Sequence, residues 1–347
     1  MAGTRSAPTR GSATCWSRRR SGSTTGSPVA SVMDRRGDVQ PIKIRLLWHP
    51  QPQFAGYLIA EHEGLARDVG LDLKCVPLDF AKGPIAALLD GDVDFAVASP
   101  SHMLESGRSE ELVFLLAIQQ ESALVYPARR SAGIARPTDL AGHRIGVWPG
   151  REDLELTFML KRAGLALDAY ERIAVGDTVG AMMDGRVDCA QMTTYHEIHH
   201  LEHAAGSLDD FVLFRAADYG ASLLKDGLIA RRDFVAANPH IVQAVVNAVL
   251  TGWTKAFHNL EAAIALCCRL RPDMARLEQE GQLADIRALA LAGATLTQGL
   301  GYPDPKHIRQ ALVAMSEVEG HAPAEEGLVD DRFWRAAPEA VRSAAWG

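Results

Sequence analysis

From Pro41 onward the chain alternates short apolar runs with helix-patterned segments, and this alternation restricts the fold more than any other feature. Parallel strands can be joined only by long crossovers, so strands that alternate with helices read as a mainly parallel sheet. Ile42–Trp48, Leu71–Pro77 and Val93–Ala98 read as strands, with helices over Pro52–Val69 and Gly83–Asp90 between them. Leu112–Gln119 and Ala123–Tyr126 are two further predicted strands. The theme then restarts. Strands are predicted at Arg144–Trp148, Ile173–Val175 and Val187–Met192, and helices from about Asp153 to Arg162, over Thr178–Met183 and from Tyr195. After Phe211–Phe214 and Gly227–Ala230 the pattern turns helical, opening at Asn238-Pro239 with Ile241, Val245, Val249 and Trp253 on one face.

Two stretches share one plan: Leu88-Leu89-Asp90-Gly91-Asp92-Val93-Asp94 and Met182-Met183-Asp184-Gly185-Arg186-Val187-Asp188. Each reads as a helix end, a glycine cap and a strand with an acidic start. Two equivalent α/β lobes with a cleft between them follow, padded by the C-terminal helices. In such sheets ligands bind beyond the carboxyl ends of the strands, where loops enter helix N-termini. Four loops meet that rule: Trp48 to Gln53, Ser99 to His102, Trp148 to Asp153 and Thr193 to Glu197. All combine aromatic or small polar groups, which offer stacking area and orientation to a small molecule.

The bulk chemistry excludes other classes. A net charge of −7 argues against a nucleic-acid partner, which needs a basic face. No apolar stretch approaches the length of a membrane span, so direct membrane insertion is not expected. The five cysteines are irregularly spaced and form no CxxC, which speaks against a disulfide framework and a cysteine zinc site. Residues 1–40 are rich in Arg, Ser, Thr and Gly and cannot build a core, so they read as a disordered tail or as sequence upstream of a true start at Met33. The basic run Arg18-Arg19-Arg20 is followed by no apolar segment, and Cys15 is preceded by none, so no export signal is legible. His196-Glu197-Ile198-His199-His200 matches HExxH, and His203 pairs with His199 at helical spacing. A zinc hydrolase is one reading of that run; a helix with histidines that titrate near neutrality is the favoured one, and no metal or cofactor is expected.

Trp48-His49-Pro50-Gln51-Pro52-Gln53-Phe54-Ala55-Gly56-Tyr57, then Ala60-Glu61-His62-Glu63-Gly64-Leu65 and Gly70-Leu71-Asp72-Leu73, resembles the opening of thiamine-pyrimidine precursor-binding proteins. These are solute-binding components of ABC transporters, related to nitrate, sulfonate and taurine binders. The likeness continues at Gly91–Val97, Gly185–Asp188, Tyr195-His196-Glu197, Arg232-Asp233-Phe234, Asn238-Pro239 and Gly252-Trp253. The resemblance implies a type II periplasmic-binding fold: one lobe from 41–129 plus 232–347, the other from 130–231, with hinge crossings near Arg130 and Ala230. It implies that Trp48 and Tyr195 lie against a ligand ring and that Glu197 meets an amino group. Gln51, Tyr57, Ser99, Gln119 and Trp148 are further candidates, and Asp218 and Tyr219 stand where the family brings another acid and aromatic to the cleft. His49, Gln51 and Gln53 depart from the asparagine-rich form of the opening motif.

The family also holds the fungal thiamine-pyrimidine synthase, which uses pyridoxal phosphate and an internal histidine as substrates. Its histidine position matches His102, but its lysine position is Ala98, and its cysteine-rich patch matches Gly220-Ala221-Ser222-Leu223-Leu224. Without the amine no Schiff base forms there, so His102 reads as a pocket or cap residue and the chain as no enzyme. The expected function is a small-molecule binder that hands a pyrimidine precursor or similar heterocycle to a membrane permease. A synthase-like enzyme, a sulfonate or nitrate binder and an intracellular ligand sensor are the alternatives. The family implies the periplasm; the chain as written implies the cytoplasm.

Overall fold

The computed structural model describes residues 39–150 and 152–343. The readings made on Cys15, Arg18-Arg19-Arg20 and Met33 lie outside the described residues. The chain opens with β1 (Gln40–Arg45), crosses through α1 (Ala55–His62) to β2 (Leu71–Val76), then through α2 (Pro84–Leu89) to β3 (Phe95–Val97) on the other side of β1. After α3 (Pro100–Glu105) comes β4 (Leu112–Leu116), and the chain leaves this sheet. A second sheet follows: β5 (Leu124–Arg129), β6 (Arg144–Val147), α4 (Leu154–Arg162), β7 (Glu171–Ala174), α5 (Thr178–Met183), β8 (Cys189–Ala190), β9 (Met192–Thr193), α6 (Glu197–Ala205) and β10 (Phe211–Phe214). The chain then returns to the first sheet with β11 (Leu228–Arg231) and continues as α7 (Arg232–Ala237), α8 (Pro239–His258), α9 (Leu260–Leu270), α10 (Arg276–Ala290) and α11 (Pro305–Glu319).

The strand orders are β2-β1-β3-β11-β4 and β10-β5-β8-β6-β7, with β9 paired to β5. The parallel pairs are those joined by crossover helices; β11 and β5, which enter from the other sheet, run antiparallel to their neighbours. The crossings therefore differ from those expected. Leu124–Arg129, placed with the first lobe from sequence, pairs in the second sheet, and Leu228–Arg231 pairs in the first. The passages lie between Leu116 and Leu124 and between Phe214 and Leu228, because both strands find their hydrogen-bond partners across the hinge.

The two look-alike stretches do the same work in both sheets. Gly91 and Gly185 close α2 and α5 with φ of 78° and 69°, the left-handed region that glycine enters without penalty. Asp94 Oδ2 then accepts the Lys43 N–H of β1 at 2.8 Å, and Asp188 Oδ2 accepts the Arg144 N–H of β6 at 3.0 Å. In each case the aspartate accepts the N–H one residue before the register with the neighbouring strand begins, at Ile44 in β1 and Ile145 in β6, where the ladder has no acceptor to offer. That common requirement explains the shared sequence.

The first sheet is buried under α1, α8, α9 and α10, whose Leu58, Val245, Val249, Trp253, Ile264, Leu283 and Ile286 form one apolar cluster with Ile42, Ile44 and Leu73. α1 crosses α8 so closely that a Cβ on Gly252 would stand 2.0 Å from the Gly56 carbonyl oxygen. No described helix is long and apolar enough to cross a membrane.

Candidate functional site

A cleft of about 590 Å³ opens where strands of both sheets end. Leu47 and Trp48 follow β1, Asp79 and Phe80 follow β2, Trp148 to Gly150 follow β6, Gly176 follows β7, and Thr193 ends β9 with Tyr195, His196 and Glu197 beyond it. The site is thus the place that parallel topology dictates, with loops from both sheets converging.

Its rim is aromatic. Trp48, 40% exposed, meets Phe80 edge-on with ring centroids 5.2 Å apart, and His49 stands 5.5 Å from the Trp48 ring. Across the cleft Trp148 is half-buried, with the Lys225 ammonium 5.5 Å from its ring centroid. Tyr195 is buried, and burial raises its hydroxyl well above the ordinary value, with the Asp226, Glu197 and Glu152 carboxylates adding to the rise.

Beneath the rings lies a buried polar chain. Gln51 Nε2 donates to Gln53 Oε1 at 2.8 Å, Gln53 Nε2 donates to Asp226 Oδ2 at 3.0 Å, and Gln119 Nε2 donates to the same oxygen at 2.7 Å. Asp226 is inaccessible and its Oδ1 has no protein partner, so burial pushes its carboxyl up to about 6 despite the Gln53 hydrogen bond and the charge of Lys225. A second set joins the sheets. Lys225 Nζ donates to Glu152 Oε2, and His102 Nε2 lies 2.8 Å from Glu152 Oε1. Burial alone would raise the Glu152 carboxyl; the charges and hydrogen bonds of His102 and Lys225 outweigh it and hold the group well below the usual carboxylate range. Beside them, Glu155 accepts from Tyr126 Oη at 3.1 Å and from the Leu223 N–H at 2.5 Å. It is buried, and burial lifts its carboxyl to about 7 against the opposing hydrogen bonds of Ser122, the Leu223 N–H and Tyr126 and the charge of Lys225.

The sequence-predicted residues separate accordingly. Trp48, Gln51, Trp148, Tyr195 and Glu197 line the cleft. Ser99 and His102 line a narrow side pocket that shares Glu152 and Lys225 with it. They form a reciprocal cap at the start of α3: Ser99 Oγ accepts the His102 N–H at 3.0 Å while the Ser99 N–H faces His102 Nδ1 at 3.5 Å. Gln119 lies one layer down and reaches the cleft only through Asp226 and Gln53. Tyr57 does not reach it; on the core face of α1 it packs edge-on against Trp253 at 6.0 Å. Asp218 and Tyr219 are also elsewhere. They sit on a 3-10 turn against α4, where Arg162 Nη1 donates to the Gly220 carbonyl at 3.1 Å; Asp218 is exposed and Tyr219 packs on the apolar cluster beneath.

Glu197 is partly committed, since its Oε2 accepts both the Thr193 N–H at 2.9 Å and Thr193 Oγ1 at 2.5 Å. His196 is the residue before α6 rather than within it, yet its ring centroid stands 4.6 Å from that of His200. Burial lowers the His196 imidazole, against the opposing pull of the Glu197 and Glu278 charges.

Sequence reasoning gave no site role to Phe80, Lys225 and Asp226, nor to Gln53 and Glu152, which lie in loops it marked. Two signals were present: Phe80 follows a strand end, as Trp48 does, and Lys225-Asp226 is a charged pair set between Leu223-Leu224 and Leu228-Ile229. Charges between apolar pairs just before a core strand mark buried, partnered groups.

The family model described as NMT1/THI5 like matches residues 51–263. No curated protein matches the chain. Among solved structures, a putative periplasmic sulfonate-binding protein of Methylobacillus flagellatus KT is 18% identical with a TM-score of 0.59, covering 86% of this chain and 93% of its own. The periplasmic nitrate-binding protein of Synechocystis PCC 6803 is 13% identical with a TM-score of 0.64, covering 87% and 88%. The desulfurization enzyme DSZB is 14% identical with a TM-score of 0.55, covering 85% and 98%. The fold is the type II periplasmic-binding fold, two α/β halves joined by two crossings.

Proposed function

We propose that this chain, which belongs to the NMT1/THI5-like family, is the solute-binding component of an ABC importer and takes a planar, nitrogen-bearing heterocycle such as a pyrimidine precursor of thiamine. The observation that carries the reading is the chemistry of the cleft wall. Rings face it from both halves, Trp48 and Phe80 against Trp148 and Tyr195. Among its described charged groups the carboxylates Asp79, Glu152 and Glu197 stand against one ammonium, Lys225, which Glu152 already neutralises. Against these described groups an anion such as nitrate or a sulfonate would meet a net negative charge, where a like charge 4 Å away costs about 4 kcal/mol at an effective dielectric near 20. A ring amine instead gains acceptors, and flat rings gain stacking area.

On this reading the two halves close on the ligand, and the closed face is what a membrane permease would recognise. The protein then works outside the cytoplasmic membrane, as the periplasmic sulfonate and nitrate neighbours do. A thermal-shift series tests the ligand class: an aminopyrimidine should raise the melting temperature by mass action, whereas taurine and nitrate should not. A shift with taurine or nitrate alone would reverse the ligand assignment.

A second reading has one specific observation behind it. The amine missing at Ala98 is approached in space by Lys225, since the Ala98 N–H donates to the Gly227 carbonyl at 3.0 Å and Lys225 shares Glu152 with His102. A synthase-like use of pyridoxal phosphate would need that amine free. Borohydride trapping of pyridoxal phosphate on Lys225 would favour this reading; its pairing with Glu152 supports the binding one.

A further inference from the structure

His196 and His200 project from the entrance of α6, on the side of the second sheet, toward α10, whose Leu283 and Ile286 are anchored in the core of the first. There His200 Nε2 lies 2.6 Å and His196 Nδ1 lies 3.3 Å from a single oxygen, Glu278 Oε1. The ligand atoms of the three residues all fall within 4.8 Å of one another. The two imidazoles are tilted by 59°, so their nitrogens converge rather than stack. His196 Nδ1 is buried and makes no hydrogen bond of good geometry. We propose that His196, His200 and Glu278 form a binding site for a zinc-class divalent ion that ties α6 to α10 across the mouth of the cleft.

The donor set is the one such ions prefer: two imidazole nitrogens and one carboxylate oxygen leave a fourth tetrahedral position open. Metal–ligand bonds of about 2.0–2.2 Å put tetrahedral ligand atoms roughly 3.3 Å apart. The His196–Glu278 separation of 3.3 Å already meets that, and the 2.6 Å His200–Glu278 contact must open by a small rotation of one side chain. Arg271, the cation close enough to oppose the ion, is itself held by Asp273 at 2.7 Å. The site does not have the layout of a hydrolase. Glu197, the residue that would activate a metal-bound water in an HExxH enzyme, is turned to Thr193. Two of the three donors come from one half of the molecule and the third from the other, so a bound ion favours the arrangement in which the halves meet. Since His196 also lines the cleft, the ion would sit beside the ligand and not in its place.

The test is a Zn²⁺ titration by calorimetry and a Co²⁺ titration by visible absorption, on the full, untagged chain with its cysteines alkylated. The expected result is one ion per chain, a Co²⁺ spectrum of tetrahedral type, and a weakening of at least about tenfold in both His200→Ala and Glu278→Gln. His199→Ala, whose imidazole pairs instead with Asp285 at 2.7 Å, should bind as the unaltered chain does. Zn²⁺ should also raise the melting temperature of the unaltered chain but not of Glu278→Gln, which removes the one of the three proposed donors that stands on α10. No saturable site, or binding that persists in both His200→Ala and Glu278→Gln, would overturn the proposal. Should His200→Ala fail to fold, Glu278→Gln decides alone, because that exchange keeps the shape of the side chain.

Discussion

Glu155 makes the stability of this protein depend on pH in a direction opposite to that of most carboxylates. Its carboxyl is raised from an ordinary 4.5 to about 7 by burial. Below pH 4.5 it is protonated in the folded and unfolded chains alike. Between pH 4.5 and 7 the unfolded chain releases the proton while the folded chain keeps it, so stability falls as pH rises, by up to about 1.4 kcal/mol per pH unit. Above pH 7 both forms are ionised and the loss is complete. From pH 5 to pH 8 these two values give a loss of roughly 2.5 kcal/mol. Asp226, raised from 3.8 to about 6, adds a loss in the same direction but at lower pH, so the stretch from pH 6 to 7 belongs to Glu155. Glu155→Gln keeps the side-chain shape; its oxygen still accepts the Leu223 N–H and its amide donates to Tyr126 Oη. Urea unfolding followed by circular dichroism across pH 5 to 8 should show the variant gaining on the unaltered chain by about 2–3 kcal/mol toward the alkaline end, all other titrations cancelling in the difference. Parallel profiles for the two proteins would refute the argument that Glu155 is buried as a neutral acid.

Gly252→Ala should destabilise by about 3 kcal/mol and lower the melting temperature accordingly, because its Cβ would lie 2.0 Å from the Gly56 oxygen and force α1 off α8. Lys225→Met should cost about 1–3 kcal/mol by leaving Glu152 without its ammonium partner, and adding Glu152→Gln should recover part of that loss in a double-mutant cycle read by urea denaturation. Trp148→Ala should weaken the bound heterocycle by about tenfold in a fluorescence titration through lost stacking, whereas Tyr219→Ala, which lies away from the cleft, should leave the affinity unchanged.

Much of this was legible along the chain because strand-end loops are fixed by topology. Trp48 and Trp148 end predicted strands, Glu197 follows one, and all three line the cleft, while the Asp94 and Asp188 motifs mark equivalent turns in both sheets. Tyr57 was expected at the ligand from the family resemblance and instead meets Trp253 in the core, on the face of α1 that packs against α8. The resemblance suggested Asp218 and Tyr219, but Gly220 stands at φ 63° just beyond them, at the end of a turn docked on α4. Lys225, Asp226 and Glu152 were hidden for a different reason. Their importance is pairwise, and partners 73 residues apart, as Lys225 and Glu152 are, leave no local pattern. The hinge was misplaced by about one strand at each crossing, because β5 and β11 take their partners from the other side, which no single-strand pattern encodes.

Calorimetric titration of an aminopyrimidine into the unaltered chain and into a Trp48→Ala, Trp148→Ala double variant tests the central claim most directly. The account predicts a single site with a negative heat-capacity change, as burial of flat apolar rings requires, and its loss in the double variant. Binding of similar strength in both proteins, or heat from nitrate or taurine with none from the aminopyrimidine, would contradict it.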